Sequence, residues 1–376
     1  MAARSLPFLV AAVTGRALAA SAARRRRPVV VVDCFGDRDT RALARDCRVA
    51  VARGGGVRFD TRALLDAAAA LAPPGRCAGL VYGSGFEGRT TLLARLAAGR
   101  RLYGNDPAVV TAVRDPGRFV ALLDRLGIDH PDTRRTAPPA FAGWLVKHPG
   151  GAGGAHVRAA ARRRARAGSY YQRFERGRSL SALFLADGRR ACVIGYNEQW
   201  AAPARPGRPF LYGGAVGGII LPPEVESDVR TKLDALVTAT GLVGLNGLDF
   251  LLQEHRWLAL EVNPRPTATV ELYDADYAAG LFEWQLRACE GELPVRAAPA
   301  RAVRAHAVVY APRALHVTAG WAFPRWCRDV PPAGARFAPG QPFCTVHAAA
   351  SDAARAAALV RRRQSLLLPA MLERAA

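Results

Sequence analysis

Two apolar segments separated by a short polar one constrain the fold of this 376-residue chain most strongly. Residues 247–252 and 256–262 are typical of β-strands, and residues 253–255 provide a turn, so the sequence predicts a β-hairpin. Asp249 and Glu261 lie within these strands among apolar neighbours. Because an isolated carboxylate in such surroundings is costly, we expect both side chains to bind something.

The end of the second strand adds two polar side chains to this pair. Asn263 follows Glu261 by two residues, so both side chains point to the same face of the sheet. Two carboxylates and an amide oxygen on one face suit Mg²⁺, or Mn²⁺ in its place, shared with nucleotide phosphates. Arg265 follows and can stabilise negative charge on a transferring phosphoryl group. A surface hairpin with solvated carboxylates is the alternative interpretation.

Lysine is scarce, because only Lys147 and Lys232 contribute to the 53 basic residues. Lys147 ends a short predicted strand at residues 143–147, and four glycines follow it closely, Gly150, Gly151, Gly153 and Gly154. The ammonium group can hold nucleotide phosphates while bare backbone amides close over them. A surface loop with an incidental lysine is the alternative, which the scarcity of lysine disfavours.

A second glycine-rich segment, GSGFEGRT at residues 83–90, follows the third predicted strand. It is similar to a P-loop and to a dinucleotide-binding fingerprint. Arg89 stands where a P-loop has lysine, and the fingerprint belongs after the first strand. A turn that lines a cleft at the end of a parallel strand fits better, with Ser84 and Glu87 as the side chains that meet the substrate.

Strands and helices alternate along the first hundred residues, at 7–14, 16–26, 28–34, 40–47, 61–72 and 78–82. This alternation predicts a small parallel α/β domain that ends near Asn105. Asp33, Asp37 and Asp39 follow the second strand at its C-terminal end. Further helices are predicted at 107–126, 224–240, 277–290 and from 351 to about 363.

Lys147 with its glycine loop, YQRFERGRSLSALF, GLDFLL and LEVNPRP, in this order and spacing, resemble the ATP-grasp superfamily. The resemblance covers roughly residues 107–294. It implies an α/β and α+β fold in three parts. These are an N-terminal Rossmann-like domain at 1–105, an ATP-grasp domain of two α+β subdomains at 106–295, and a small β-rich C-terminal domain with a terminal helix at 296–376.

The resemblance also implies how ATP binds between the two subdomains. Lys147 would contact the phosphates, and the four glycines after it would cover them. Asp249, Glu261 and Asn263 would bind Mg²⁺, and Arg265 would stabilise the acyl-phosphate stage.

The adenine side of this implied site departs from the family pattern. The backbone of Gln172, Arg173 and Phe174 would face the adenine, although Arg173 is unusual there. Arg114 is the nearest candidate for a second basic residue that the family has upstream. The ribose contact stays open between Glu175 and another residue.

The implied reaction is carboxylate activation, in which ATP forms an acyl phosphate and an amine attacks it to give an amide, ADP and phosphate. Its catalysis is mainly positioning and charge neutralisation. Tyr212, Gly213 and Gly214 lie in FLYGGAVGGI, which we expect to be a loop facing the cleft and suited to an anionic or aromatic ligand. In size and motif style the chain is similar to tyramine–glutamate ligases, which implies synthesis of a methanofuran- or tetrahydromethanopterin-type one-carbon cofactor.

The net charge of +22 raises a rival interpretation, a basic nucleic-acid-binding protein. Its arginine clusters at 24–27, 162–166 and 361–363 lie among alanines rather than among aromatic residues, so a GC-rich genome explains the charge better. A Rossmann-type oxidoreductase that uses residues 83–88 is the second rival. It leaves Asp249, Glu261 and Asn263 without a role.

Cellular location and partners follow from composition. The seven cysteines form no CxxC pair, and no apolar stretch is long and charge-free enough to span a bilayer. We therefore expect a cytoplasmic enzyme that acts on small-molecule carboxylates and amines without a membrane or nucleic-acid partner. Whether it forms a homodimer is left open.

Overall fold

The computed structural model describes residues 5–52, 54, 57–161, 166–202 and 207–373. The arginine cluster at 162–166 therefore lies outside the described residues except for Arg166. None of the described helices combines the length and the apolar character that crossing a bilayer requires.

The N-terminal region is the predicted parallel α/β unit. Its four strands pair in parallel in the order β3-β2-β1-β4. They are β1 (Phe8–Ala11), β2 (Val29–Asp33), β3 (Asp46–Val49) and β4 (Gly79–Tyr82). The helices between and after them are α1 (Arg16–Ala23), α2 (Arg38–Leu43), α3 (Thr61–Leu71) and α4 (Thr90–Ala97).

Strand β3 occupies the end of a segment predicted as a helix. The helix ends at Leu43, and the chain then pairs with β2 along the edge of the sheet. Only Cys47 of the four residues in β3 is buried, so the segment lacks the apolar run that marks a buried strand.

The helix predicted at 107–126 is two helices, α5 (Pro107–Arg114) and α6 (Pro116–Arg125). Pro116 disfavours a helical conformation in Asp115, whose ψ of 117° breaks the first helix. The Asp115 carboxylate then accepts a hydrogen bond from the Arg118 N–H at 2.9 Å and caps the second helix. The break leaves Arg114 at the C-terminal end of α5.

A small antiparallel sheet follows, in the order β5-β8-β6-β7. Its strands are β5 (Thr133–Arg134), β6 (Trp144–Lys147), β7 (Arg158–Ala159) and β8 (Tyr170–Arg173). Lys147 is the last residue of β6 and pairs with Tyr170 of β8. The glycine loop therefore begins directly at the end of a central strand.

The large sheet has eight strands in the order β13-β12-β9-β10-β11-β14-β18-β16. Its first five in chain order are β9 (Arg178–Asp187), β10 (Ala191–Ala201), β11 (Tyr212–Ile219), β12 (Val243–Gln253) and β13 (Arg256–Asn263). The helices of this region are α7 (Pro223–Thr240), α8 (Val270–Tyr273), a 3₁₀ turn (Asp274–Asp276) and α9 (Leu281–Cys289). The predicted hairpin is confirmed as β12 and β13.

The prediction of a loop at residues 210–219 is wrong for most of this segment, because residues 212–219 form strand β11. Its glycines allow neighbouring backbones to approach closely. A Cβ on Gly213 would lie 2.6 Å from the Ala201 carbonyl carbon, and one on Gly214 would lie 2.3 Å from the His306 carbonyl oxygen. The glycine run therefore reflects sheet packing.

The C-terminal region extends the large sheet, because β14 pairs with β11 and β18 pairs with β14. Its strands are β14 (Val303–Tyr310), β15 (Leu315–His316), β16 (Cys327–Arg328), β17 (Arg336–Phe337) and β18 (Pro342–Ala350). The terminal helix α10 (Ala353–Glu373) is longer than predicted. The boundaries near residues 105 and 295 stay predictions.

We expect the core of the large sheet to govern stability. Leu180 of β9 is fully buried, whereas Leu366 of α10 is 61% exposed. Leu180→Ala should destabilise the fold by about 3 kcal/mol through lost burial and a residual cavity. Leu366→Ala, the same chemical change, should alter the free energy of unfolding by no more than about 0.5 kcal/mol.

Thermal unfolding followed by calorimetry measures both variants. Equal shifts of the unfolding midpoint would show that β9 does not anchor the core.

Candidate functional site

A cavity of about 890 Å³ brings together most of the predicted site residues. Both glycine-rich loops, the end of β6 and the β12–β13 hairpin contribute to its wall. The predicted residues that line it are Ser84, Glu87, Lys147, Gly150, Gly153, Gly154, Tyr212, Asp249, Glu261, Asn263 and Arg265. The others lie behind this wall or beside it, namely Arg114, Gly151, Gln172, Arg173, Phe174, Gly213 and Gly214.

The two hairpin carboxylates stand directly opposite each other, because Asp249 pairs with Glu261 across β12 and β13. Asp249 accepts hydrogen bonds from the side-chain amides of Gln199 and Asn263, each at 2.9 Å. Burial and the nearby Glu261 charge raise the pKa of Asp249 to about 7. The hydrogen-bond partners of the Asp249 carboxylate are thus neutral amides, and the Glu261 charge beside it has the same sign.

Glu261 has the opposite electrostatic surroundings. Burial alone would raise its pKa, but the charges of Arg114 and Lys147 outweigh burial and lower it to about 2. Arg114 Nη1 donates a hydrogen bond to Glu261 Oε2 at 3.0 Å. Glu261 therefore stays ionised at neutral pH.

These residues fit a divalent metal cofactor. Asp249, Glu261 and Asn263 offer hard oxygen donors from two paired strands, which is the ligand chemistry of Mg²⁺ and Mn²⁺. The raised pKa of Asp249 reflects burial first and the neighbouring Glu261 charge second. A divalent ion between them would supply the missing positive charge.

Lys147 is buried at the end of β6, and its ammonium group donates a hydrogen bond to Gln172 Oε1. Burial lowers the pKa of Lys147, while the charges of Glu261 and Asp249 oppose that shift. Gln172 Nε2 in turn donates to Thr133 Oγ1 at 3.2 Å. Gln172 therefore orients the lysine, a contact that the sequence did not indicate.

The predicted adenine contacts are not tested by this arrangement and stay a prediction. The Arg173 N–H donates to the Asp132 carbonyl at 2.7 Å, and the Phe174 N–H donates to the Gly143 carbonyl at 2.8 Å. Both N–H groups are thus already bonded within the small sheet. An adenine contact at these residues would have to use other backbone groups.

The glycine loop after Lys147 is held by close packing. A Cβ on Gly88 would lie 2.5 Å from Gly150 Cα, so the two glycine-rich loops meet backbone to backbone. Gly154 has a φ of +70°, and a Cβ there would lie 1.7 Å from the Phe210 carbonyl oxygen. Glycine is therefore required at both loops for steric reasons.

Arg114 links this loop to the carboxylates. Its Nη2 donates to the Gly151 carbonyl at 2.9 Å and to the Pro149 carbonyl at 3.3 Å, while its Nη1 binds Glu261. The Glu261 charge raises the pKa of Arg114 against the effect of burial. The guanidinium lies behind the cavity wall, where it positions the loop.

Arg265 is paired with Glu87 from the other glycine-rich loop, and both side chains are buried. Burial would raise the pKa of Glu87, but Arg265 and Arg114 lower it. Arg265 Nη2 also donates to Asn263 Oδ1 at 3.2 Å. Glu87 therefore orients Arg265 at the cavity wall, which is a more specific contact than the sequence indicated.

Sequence reasoning missed two residues that line the cavity. Gln199 comes from β10, and only the long-range pairing of strands brings it to Asp249. His156 has a buried Nδ1 without a partner among the described residues, and burial lowers its pKa to about 4. Its place just after the glycine loop was the available signal.

Solved structures define the fold class at low sequence identity. The biotin carboxylase domain of Hydrogenobacter thermophilus 2-oxoglutarate carboxylase, a dimer with MgADP and bicarbonate, gives a TM-score of 0.70 at 12% identity over 96% of this chain and 90% of that chain. L-amino acid ligase from Bacillus licheniformis gives a TM-score of 0.66 at 14% identity, over 96% of this chain and 97% of that chain. N5-carboxyaminoimidazole ribonucleotide synthetase from Thermotoga maritima gives a TM-score of 0.64 at 14% identity, over 96% of this chain and 98% of that chain. The chain has their ATP-grasp fold.

Sequence comparison agrees with the fold. Residues 115–269 match the family described as an ATP-grasp domain. None of the curated proteins matches the chain in sequence. Residues 115–269 therefore match an ATP-grasp domain and the chain has the ATP-grasp fold, as the resemblance seen in its motifs implied.

We expect the stabilising effect of the Glu261 carboxylate to disappear in acid. Its pKa is lowered from an ordinary 4.5 to about 2, so its ion pairs stabilise the fold above pH 4.5 and are lost as the pH falls toward 2. Glu261→Gln should lower the thermal unfolding midpoint at pH 7. The difference from the wild type should shrink between pH 4.5 and pH 2.

Glu254→Gln in the exposed turn of the same hairpin is the matched control and should leave the midpoint unchanged at pH 7. A Glu261→Gln difference that is constant across this pH range would contradict the assigned ionisation.

Proposed function

We propose that this protein is an ATP-dependent, ADP-forming ligase that activates a carboxylate as an acyl phosphate and joins it to an amine. The observation that carries the proposal is one cavity that contains the Asp249–Glu261 pair, Lys147 and Arg265 beside two glycine-rich loops. This arrangement surrounds a polyphosphate with cationic and N–H donors and leaves room for a second substrate.

Magnesium, bound through Asp249, Glu261 and Asn263, would neutralise phosphate charge and hold the phosphates in place. The other contacts come from the chain itself. Lys147 donates to the phosphates, because its ammonium group is already oriented by Gln172. The backbone amides of the glycine loop close over them.

Arg265 acts on the acyl-phosphate side of the reaction. Glu87 and Asn263 hold its guanidinium at the wall, where it stabilises negative charge that develops during phosphoryl transfer. The carboxylate oxygen attacks the terminal phosphorus of ATP and ADP leaves. The amine then attacks the acyl carbon, phosphate leaves, and the amine gives up a proton.

The activities named for the structural neighbours support this class of reaction. One is an L-amino acid ligase and another is a carboxyaminoimidazole ribonucleotide synthetase. A third was solved with MgADP and bicarbonate. Synthesis of a methanofuran- or tetrahydromethanopterin-type cofactor, a cytoplasmic location and a homodimer stay proposals that rest on the sequence alone.

The nucleic-acid alternative is weakened by the partners of the described arginines. Arg24 forms an ion pair with Asp274, and Arg27 forms one with Glu283. Arg361 lies over the Trp200 ring at 5.3 Å from its centroid. These side chains are committed to contacts within the chain.

A screen of ADP release across carboxylate–amine pairs tests the proposal, with and without Mg²⁺. We expect ADP release that requires both substrates and the metal, with an amide as the product. ATP hydrolysis that ignores the amine, or ATP conversion to AMP, would contradict it.

Lys147→Arg should lower turnover by about a hundredfold, although the charge is kept. A planar guanidinium cannot replace a compact ammonium group in this buried position. The matched control is Lys232→Arg on α7, where the lysine forms an ion pair with Asp228 at 3.1 Å. Equal rates for the two variants would show that Lys147 is incidental.

A further inference from the structure

One end of the cavity is acidic and is not used by the phosphate site. Asp37 and Asp329 line it, and so do Thr14 and Thr345. Asp37 directly precedes α2, and Asp329 directly follows β16. The N-terminal and C-terminal regions of the chain thus each supply one carboxylate and one hydroxyl.

Asp329 is held in place by three neighbouring side chains. Its carboxylate accepts hydrogen bonds from Arg16 Nε at 2.9 Å, Thr14 Oγ1 at 3.0 Å and Thr345 Oγ1 at 2.6 Å. Both hydroxyls act as donors to Asp329. The Thr14 oxygen keeps its lone pairs for another donor, whereas Thr345 Oγ1 also contacts His347 Nε2 at 3.3 Å. This carboxylate is therefore fixed in place at the cavity wall.

Asp37 is different, because it is 3% exposed and its Oδ2 has no hydrogen-bond partner among the described residues. It occupies the position before α2 where aspartate often caps a helix, yet its side chain makes no capping bond. A buried, unpaired carboxylate in a cavity wall is costly. Because Asp37 also lines the cavity, a ligand bound there would supply the missing partner.

The charge around Asp37 is negative. Asp329, Asp33 and Asp39 act on it, and Arg16 is the cation that opposes them. Arg16 is already shared between Glu271 and Asp329. Burial and the three neighbouring carboxylates raise the pKa of Asp37 to about 9. A cationic ligand would relieve this excess of negative charge.

The acidic end adjoins the phosphate end through the backbone. The Val13 N–H donates to the Ser84 carbonyl at 2.9 Å, which ties the segment before α1 to the loop at 83–90. That loop carries Glu87, the partner of Arg265. A ligand at the acidic end would therefore lie next to the proposed acyl phosphate.

We propose that Asp37 and Asp329 form an ammonium subsite, which binds an amine substrate that carries a positive charge. The inference rests on the proposed function, because it assigns the second substrate of that reaction. An ammonium group offers three N–H donors, which two carboxylates and a threonine hydroxyl can accept.

Titration calorimetry without ATP tests the subsite with charged probes and their neutral counterparts. The pairs are 1,4-diaminobutane with 1,4-butanediol and 2-phenylethylamine with 2-phenylethanol. For at least one pair, the wild type should bind the amine about tenfold more tightly than the alcohol, and Asp37→Asn should remove that advantage. Wild-type protein that binds amine and alcohol equally in both pairs overturns the subsite, and so does a variant that keeps the advantage.

The matched control is Asp66→Asn on α3, whose side chain is 72% exposed, and it should keep the amine preference. Asp37→Asn should unfold at about the same temperature as the wild type at pH 7, because a pKa of about 9 leaves Asp37 protonated there and the amide is equally neutral and similar in size. If that variant does not fold, Asp37→Ser takes its place in the same titrations.

The two proposals can fail separately. Mg²⁺-dependent ATP binding should be unchanged in Asp37→Asn, because this residue lies outside the phosphate site. Amine binding through Asp37 without any ADP release would leave the subsite standing and refute the ligase reaction. ADP release by a wild type that shows no preference for the amine would leave the ligase reaction standing and refute the subsite.

Discussion

The site depends on one electrostatic constraint, which is that cations must compensate the negative charge of Glu261. Arg114 reaches this carboxylate from α5 and uses its remaining donors on the carbonyls of the glycine loop. Lys147 adds its own charge from the end of β6. Because each of these buried ions would be costly alone, helix, strand and loop must be assembled together. The proposed phosphate site is thus organised by the same contacts that hold its surrounding elements.

The N-terminal region completes the cavity by a second buried ion pair. Glu87 meets Arg265, and Gly88 meets Gly150 of the opposite loop. Asn105 strengthens this junction, because its amide donates to Asn246 Oδ1 at 2.8 Å and to the Pro264 carbonyl at 3.0 Å. The parallel sheet therefore positions side chains beside the hairpin as well as supporting its own loops.

Local sequence patterns predicted what depends on alternation along one segment. The hairpin follows from the period of two along β12 and β13. The opposition of Asp249 and Glu261 depends in addition on a register shift between Asp249 and Phe250, which regular alternation does not predict. Contacts between distant strands, such as that of Gln199, have no such local signal. The glycines of β11 predict a loop, because close packing against a neighbouring backbone requires the same residue type as a turn. The helix break before Pro116, by contrast, follows from a local rule that the sequence displays.

The continuity of the large sheet limits how far the chain can be shortened. β14 pairs with β11, and β18 pairs with both β14 and β16. The C-terminal strands therefore continue the sheet from β11, the strand that bears Tyr212. A fragment that ended before residue 303 would expose the backbone of β11 as a sheet edge, which is prone to aggregation. The same cut would remove the wall that carries Asp329. The three sequence regions are therefore not interchangeable modules, and an exchange of C-terminal segments between proteins of this fold would have to preserve the register of β11 and β14.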